Sequence, residues 1–286
     1  MIRLVGLATT GLVAVAGLAA GQSQVFRSSV DMVAVYPLVA AADGRLATNL
    51  RREDFTVLDN GRPADIDIFS SDRQPITAAL LLDMSASMED RWIRVRDAAL
   101  RFVAALGPDD RLRIGTFGSE IALSPHLTAD KKILERVLRE ELWPGGSTPL
   151  WSAMRAGMQS LASEGGRRTI VIVTDGVDTS SATHAAVVER AVKERFMIYA
   201  IGFEGRGLGS RLVSLIGETG GGHFDLKRGE DLATAFLNLA DELRHQYLIG
   251  FTPTLLDGLA HTLEVRVNRP GYTVRAPRQF IAAVKK

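Results

Sequence analysis

The sequence predicts an α/β protein with a doubly wound, mostly parallel central sheet flanked by helices, and a small all-β sandwich-like module beside it. Two observations carry this prediction. Between residues 76 and 245, continuous apolar runs alternate with segments of helical periodicity, which is typical of a parallel sheet covered on both faces. On either side of that region, short extended runs separated by turn signals replace the alternation.

Three apolar runs, at 76–82, 169–174 and 196–201, predict buried strands of the central sheet, and a further strand is predicted at 112–117. Short strands are predicted at 121–125 and 223–226, the first at an edge because Pro125 ends it. Helices are predicted to begin near Trp92, Asp130, Thr148, His184, Ser210 and Glu230. Thr148 is the predicted N-cap of its helix, because a threonine followed by proline favours a helix start.

The two ends of the chain predict one β module. In the first end, Asn60-Gly61 lies between two strand-like runs, which is a strong hairpin signal because both positions tolerate positive φ. In the second, extended segments fall at 246–251, 261–267 and 272–275. We predict that residues 25–75 and 247–281 form a single module with the 76–245 domain inserted between them. Two separate β appendages are the alternative.

Composition excludes several classes of protein. The chain has 286 residues, a formal net charge of +1 and no cysteine. The near-zero net charge removes the electrostatic basis for binding nucleic acid. The absence of cysteine excludes disulfides, zinc–thiolate sites and cysteine nucleophiles. The five histidines are dispersed, with no His-x-x-x-His motif and no expected pairing with carboxylates, so a zinc site is not predicted.

The first 21 residues predict export. A single positive charge at Arg3 precedes an uncharged run at 4–20, and small residues at 19–21 follow. This is the pattern of a signal peptide, with an uncleaved N-terminal anchor as the alternative. Either way the body of the protein is expected to be periplasmic, on the cell surface or secreted. Contact with the membrane is expected only through an uncleaved segment.

The first candidate site follows the strand at 76–82. Asp83, Ser85 and Ser87 alternate along a short loop, so their three oxygens can converge on one point. Small oxygen ligands of this kind suit a hard divalent cation. Taken alone the triplet is a weak signal, because the same pattern also caps helices.

Two further segments strengthen the prediction. Thr148 lies in the glycine-rich loop 145–149, and Asp175 follows the apolar strand at 169–174. In a parallel sheet, sites form at the carboxyl ends of strands near the switch in strand order. We therefore expect Asp83, Ser85, Ser87, Thr148 and Asp175 to form one cation site.

This constellation resembles the metal-ion-dependent adhesion site of the von Willebrand factor A domain, over about residues 75–244. The resemblance implies a Rossmann-like fold and a site for Mg²⁺, with Mn²⁺ or Ca²⁺ as alternatives. It implies that Ser85 and Ser87 bind the metal directly and Thr148 directly or through water. It implies that Asp83 and Asp175 act through waters and hydrogen bonds. Ala86 stands where glycine is frequent in the family, and this change removes no ligand oxygen.

The flanks resemble an exported bacterial family related to von Willebrand factor A and abundant in acidobacteria. The matching stretches are Asp54-Phe55-Thr56-Val57 before the domain and Tyr247-Leu248-Ile249-Gly250-Phe251-Thr252-Pro253 after it. The resemblance implies a non-catalytic adhesion module of the bacterial envelope. A partner protein would complete the metal coordination with an Asp or Glu carboxylate.

Two alternatives stay open at this point. One is an envelope assembly or scaffold protein in which the metal site is secondary. The other is a Mg²⁺-dependent phosphoester hydrolase, although such enzymes need a second aspartate where Ser85 stands, and no nucleophile elbow or phosphate-binding loop is present. We therefore do not expect an enzyme.

Other side chains near the predicted site are not expected to bind the metal. Asp178 is expected to cap or stabilise its loop, and Trp92 to belong to a helical core stripe. Trp151 suits a recognition surface and helix packing equally, and Trp143 is placed to cover the site loop.

Overall fold

The computed structural model describes residues 32–140, 145–175, 178, 184–203, 207–227 and 229–284. The predicted signal peptide or anchor and Trp143 lie outside these residues. The described strands are β1 (Val33–Val35), β2 (Leu38–Ala41), β3 (Phe55–Asp59), β4 (Arg62–Ala64), β5 (Ile66–Ser70), β6 (Thr77–Asp83), β7 (Arg111–Phe117), β8 (Ile121–Leu123), β9 (Arg168–Thr174), β10 (Phe196–Gly202), β11 (His223–Asp225), β12 (Leu248–Phe251), β13 (Ala260–Val267), β14 (Tyr272–Arg275) and β15 (Gln279–Ile281). The described helices are α1 (Trp92–Ala105), α2 (Lys131–Glu140), α3 (Leu150–Ser160), α4 (His184–Lys193), α5 (Ser210–Thr219) and α6 (Leu232–Arg244).

The main sheet confirms the predicted fold class. Within the described residues its strand order is β11-β10-β9-β6-β7-β8, and only β8 runs antiparallel to its neighbour. From β6 the chain moves outward to β7, and later returns to place β9 on the other side of β6. The order therefore switches between β6 and β9, and in open α/β sheets ligands bind outside the carboxyl ends of the strands at such a switch.

Helices cover both faces of this sheet, and strand alternation divides the core accordingly. Leu80 and Leu82 of β6 pack into one cluster with side chains of α1 and α6. Leu81, which points to the opposite face, packs into a second cluster with side chains of α3 and α5. All three leucines are at most 1% exposed. Each contributes about 1.5–3 kcal/mol through removal of its side chain from water, which anchors the strand that carries the site.

The ends of the chain pair with each other in small antiparallel sheets. β12 lies between β1 and β5, β13 pairs with β3, and β14 pairs with β2. One hydrophobic cluster joins these sheets and includes Val35, Phe55, Ile249 and Phe280. The domain boundaries assigned from the sequence stay a prediction.

The hairpin predicted at Asn60-Gly61 is confirmed. These residues join β3 to β4 with φ values of 49° and 78°, the pair of positive angles that a two-residue hairpin turn requires. Asparagine and glycine adopt this backbone at low cost, which is why the sequence signal was strong.

The predicted start of α3 is wrong by a short distance. The helix begins at Leu150 with Pro149 as its cap, so Thr148 is not the N-cap. The physical reason is that backbone hydrogen bonds hold the loop before the helix in place. The Gly145 amide donates to the Met84 carbonyl (2.6 Å) and the Gly145 carbonyl accepts from the Ser119 amide (2.7 Å), so the loop before the helix is bonded to the segments that follow β6 and β7.

Two of the tryptophans are placed by the structure. Trp151 of α3 is 5% exposed and packs in the second core cluster, so its role is packing rather than surface recognition. Trp92 packs against the first cluster, as predicted. Across the described part of the chain, no helix combines the length and apolar character needed to span a bilayer.

Candidate metal centre

The candidate site lies where β6 and β9 end side by side. Asp83 is the last residue of β6, and Thr174 is the last residue of β9. Asp175 follows directly. Because the two strands are parallel neighbours, their carboxyl ends deliver these side chains to the same edge of the sheet.

Asp83 organises the first loop through both of its carboxylate oxygens. Oδ1 accepts a hydrogen bond from the Ser85 amide (2.9 Å), and Oδ2 accepts one from the Thr174 hydroxyl (2.6 Å). The residue has no solvent exposure. Burial raises the pKa of the Asp83 carboxyl, and the negative charge of Asp175 adds to the rise, while the hydrogen bonds from Ser85 and Thr174 oppose it. A buried carboxylate in this position is stabilised by a nearby cation.

Ser85 and Ser87 bring two hydroxyl oxygens together just beyond the end of β6. Their Oγ atoms are 3.1 Å apart, and Ser85 is buried whereas Ser87 is exposed. Adjacent ligands of an octahedral Mg²⁺ ion, at about 2.1 Å each, are separated by about 3.0 Å. The observed separation therefore matches two neighbouring coordination positions. Beyond Ser85 a short 3-10 helix, Ala86–Arg91, leads into α1.

The glycine-rich loop closes over the same edge. Besides the two bonds of Gly145, the Gly146 carbonyl accepts the amide of Ala86 (3.2 Å). Gly146 has φ of 91°, and a Cβ atom there would lie 2.4 Å from the Ser119 amide nitrogen. Only glycine fits this close approach. Thr148 follows this loop two residues beyond Gly146 and is 5% exposed.

Arg91 stands beside the predicted ligands, and sequence reasoning missed it. Its Nη1 donates to the Ser87 carbonyl (2.9 Å) and lies 3.7 Å from Oδ2 of Asp175. Its guanidinium also lies over the ring of Phe203, 5.9 Å from the centroid. No motif marks this arginine, because its position depends on the turn between the 3-10 helix and α1. Its charge partly offsets that of Asp175.

Thr174 is the second residue that sequence reasoning did not assign. The sequence predicted that Thr174 ends a strand. Its hydroxyl can donate a hydrogen bond to Asp83 only because β6 and β9 are neighbouring strands, which the sequence does not indicate. Direct hydrogen bonds thus join Asp83 to Ser85 and Thr174, and Ser85 to Ser87. Asp175 lies at the same edge because it follows Thr174 directly, whereas the place of Thr148 in the site stays a prediction. The role of Asp178 stays a prediction.

The donor set fits a hard divalent cation. Ser85 and Ser87 present neutral hydroxyl oxygens, while two largely buried carboxylates, Asp83 and Asp175, supply negative charge behind them. Within the residues the structure describes, no group of three or more His, Asp or Glu residues is arranged to hold a metal. A site in these residues would therefore rely on hydroxyl ligands, which suit Mg²⁺ and Mn²⁺ better than softer metals.

One expectation about the histidines is wrong. His261 is 1% exposed and pairs with two carboxylates, Asp59 (Nδ1–Oδ1, 2.6 Å) and Asp257 (Nε2–Oδ1, 3.1 Å). His245 also contacts a carboxylate, that of Asp241 (3.0 Å). The pairing of His261 with Asp59 could not be predicted from the sequence, because 202 positions separate the two residues. The antiparallel pairing of β3 with β13 brings them together.

Comparison with known proteins supports the fold. The family model for the von Willebrand factor type A domain matches residues 79–237. No curated protein matches the chain.

Two solved structures illustrate the similarity. The von Willebrand factor type A protein from Catenulispora acidiphila is 12% identical, covers 89% of this chain and 73% of its own, and has a TM-score of 0.51. Proximal thread matrix protein 1 from the mussel byssus, with a zinc-occupied MIDAS motif, is 16% identical, with 63% of this chain and 48% of its own covered and a TM-score of 0.52. At these identities the likeness shows the fold alone.

Proposed function

The chain belongs to the von Willebrand factor type A domain family, and on that premise we propose that it is a non-catalytic protein-binding module that depends on a divalent metal. One observation carries the proposal. The hydroxyl oxygens of Ser85 and Ser87 lie 3.1 Å apart at the end of β6, directly beside the buried carboxylate of Asp83. Two potential ligand oxygens, one buried and one exposed, therefore lie together with a balancing negative charge beside them.

The residues divide into two roles. Ser85 and Ser87 would hold the metal directly, and Thr148 directly or through water. Asp83 orients Ser85 through its amide, and Asp83 and Asp175 supply the charge that a cation requires. When bound, Mg²⁺ would offer an electrophilic coordination position to an anionic ligand, because neutral hydroxyls leave most of its charge uncompensated.

We propose that the partner is a protein that presents an Asp or Glu carboxylate to this position. Ser87 is exposed, so the site is accessible from solvent. The signal-like N-terminal sequence supports a location in the bacterial envelope, on the cell surface or in the medium, where adhesion modules act.

Calorimetry with defined peptides tests the proposal. The full chain is freed of metal with a chelator and titrated with a peptide bearing one central aspartate, with Mg²⁺ and without it. We expect binding only with Mg²⁺, and none to the same peptide with asparagine. Ser87→Ala should abolish binding, whereas Ser214→Ala, an exposed helical position in α5, should leave it unchanged.

Two results would overturn the proposal. One is peptide binding of equal strength in chelator. The other is hydrolysis of a generic phosphoester by the Mg²⁺-loaded chain that is lost in Asp83→Asn, which would establish the hydrolase alternative.

A further inference from the structure

A cavity of about 590 Å³ lies at the end of the main sheet opposite the candidate metal centre. Arg168 and Phe196, the first residues of β9 and β10, line one side. Residues of the sheet β1-β12-β5 line the other. Its volume falls within the range of small-molecule sites, and such sites favour the junction of two structural units.

The β1-β12-β5 sheet presents an apolar face to the cavity, although a face directed away from the module core is commonly polar and solvated. Along β12, Ile249 and Phe251 point into the module core, so Leu248 and Gly250 face the cavity. Ala34 of β1 faces the cavity in the same way. An antiparallel sheet commonly has one dry and one solvated face, but here both faces are apolar. The second face therefore suits an apolar body.

Most of the charged groups that line the cavity already have partners. Both lining glutamates form ion pairs with arginines, Glu164 with Arg111 (2.6 Å) and Glu218 with Arg278 (3.9 Å). Two lining arginines donate to main-chain carbonyls, Arg167 to those of Leu243 and Pro75 and Arg168 to those of Glu194 and Ala162.

Arg195 is different. In the described part of the chain its guanidinium has no hydrogen bond or ion pair. The residue as a whole is exposed at the margin of the cavity, while partial burial of the guanidinium lowers its pKa. Its backbone has φ of 57°, a conformation that costs energy for a residue other than glycine or asparagine. Tyr36 lies nearby. Burial raises the pKa of the Tyr36 hydroxyl, and the charges of Arg167 and Arg195 oppose that rise.

We infer that this cavity binds an amphipathic monoanion whose apolar body lies against the β1-β12-β5 sheet and whose carboxylate pairs with Arg195. Among the described residues, three arginines and two glutamates line the cavity, which gives it an excess of one positive charge. An anionic head at the margin stays close to water while its apolar body is removed from it, and both contacts are favourable. A cationic head would meet the guanidinium instead. The Tyr36 hydroxyl is placed to donate a second hydrogen bond.

Three ten-carbon probes test the inference: decanoate, decanol and decyltrimethylammonium, each titrated into the full chain by calorimetry below its micellar concentration. The titrations are made in chelator, so that the result is independent of the metal centre. We expect decanoate to bind about tenfold more tightly than decanol, and decyltrimethylammonium not to bind, because one charge-assisted contact contributes about 1.4 kcal/mol.

Two variants locate the site. Arg195→Asn removes the guanidinium but tolerates the left-handed backbone, and should reduce decanoate binding about tenfold to the level of decanol. Ala34→Phe should exclude all three probes by filling the apolar side. Arg73→Asn, an exposed loop arginine, is the matched control and should change nothing. Equal binding of the three probes, no binding of decanoate, or decanoate binding unaffected by both variants would overturn the inference.

Discussion

The hydroxyl of Thr174 donates a 2.6 Å hydrogen bond to Oδ2 of Asp83, and so joins the carboxyl ends of two neighbouring parallel strands. Asp83 uses its other oxygen to hold the amide of Ser85. The loop that carries the proposed ligands is therefore anchored to β9 as well as to β6. Replacing a group that orients a metal ligand in this way typically lowers metal affinity about 10–100-fold.

Thr174→Val should weaken metal binding while leaving every proposed ligand in place. Without the hydroxyl, Asp83 loses a hydrogen bond at a fully buried position. We expect Mg²⁺ affinity to fall about 10–100-fold and stability by about 1–2 kcal/mol. Calorimetry and urea unfolding measure the two effects. Thr174→Ser keeps the hydroxyl and should retain most of both, so equal loss in the two variants would contradict this role.

Gly146→Ala should disrupt the loop that carries Thr148. The new Cβ would lie 2.4 Å from the Ser119 amide nitrogen, on a backbone with φ of 91°. We expect a loss of about 1–3 kcal/mol in stability and a large loss of metal affinity. Gly165→Ala is the control, because nothing lies within 4 Å of its added Cβ, and it should stay within about 0.5 kcal/mol of the natural chain. Normal metal binding by Gly146→Ala would show that the loop does not shape the site.

Arg91→Gln should strengthen metal binding. Arg91 lies 3.7 Å from the Asp175 carboxylate and repels a cation at the same place. Because the arginine side chain is 28% exposed, solvent screens the interaction, and we expect an increase in Mg²⁺ affinity of up to about fivefold. Arg101→Gln, an exposed position farther along α1, should have no effect. Weaker binding by Arg91→Gln would mean that the arginine supports the site rather than competing with the metal.

His261 should make the stability of the β module depend on pH. Its burial alone would lower the pKa of the imidazole, but hydrogen bonds and charges from Asp59 and Asp257 outweigh burial and raise it. A raised folded-state pKa gives stability that is complete below the unfolded value of about 6.5 and is lost as pH rises through the folded value. The free energy of unfolding should therefore decline on the alkaline side of about pH 6.5.

Urea unfolding between pH 6 and 9 measures this decline. His261→Gln should flatten it and lower stability at pH 6 by roughly 1–3 kcal/mol, because the buried carboxylate of Asp59 loses its charged partner. His126→Gln, at an exposed loop position, should keep the decline. An unchanged pH dependence in His261→Gln would show that the buried histidine does not carry it.

The sequence predicted the features that depend on local pattern. Continuous apolar runs located β6, β9 and β10, and Asn60-Gly61 located the hairpin. The loop containing Ser85 and Ser87 was also found, because its side chains alternate on one short segment. What the sequence did not predict depends on which strands become neighbours. Three such contacts join distant parts of the chain. They are the hydrogen bond from Thr174 to Asp83, the backbone hydrogen bonds of Gly145 and Gly146, and the pairing of His261 with Asp59.

The start of α3 shows the limit in another way. Thr148 and Pro149 carry the local signal of a helix start, yet the helix begins at Leu150. Tertiary hydrogen bonds from the Gly145 loop to Met84 and Ser119 override that preference. The position of Arg91 at the site was not predicted for a similar reason, because no sequence pattern distinguishes this arginine from others near a helix start.

A crystal structure of the full chain soaked in Mn²⁺, with the anomalous signal of the metal recorded, shows whether Ser85 and Ser87 bind a divalent metal. We expect one strong peak at about 2 Å from the Oγ atoms of both serines, on the solvent side of Asp83. We also expect the peak to disappear in crystals of Ser87→Ala. A fully occupied metal elsewhere, or no peak at the two serines under saturating Mn²⁺, would contradict the proposed metal site.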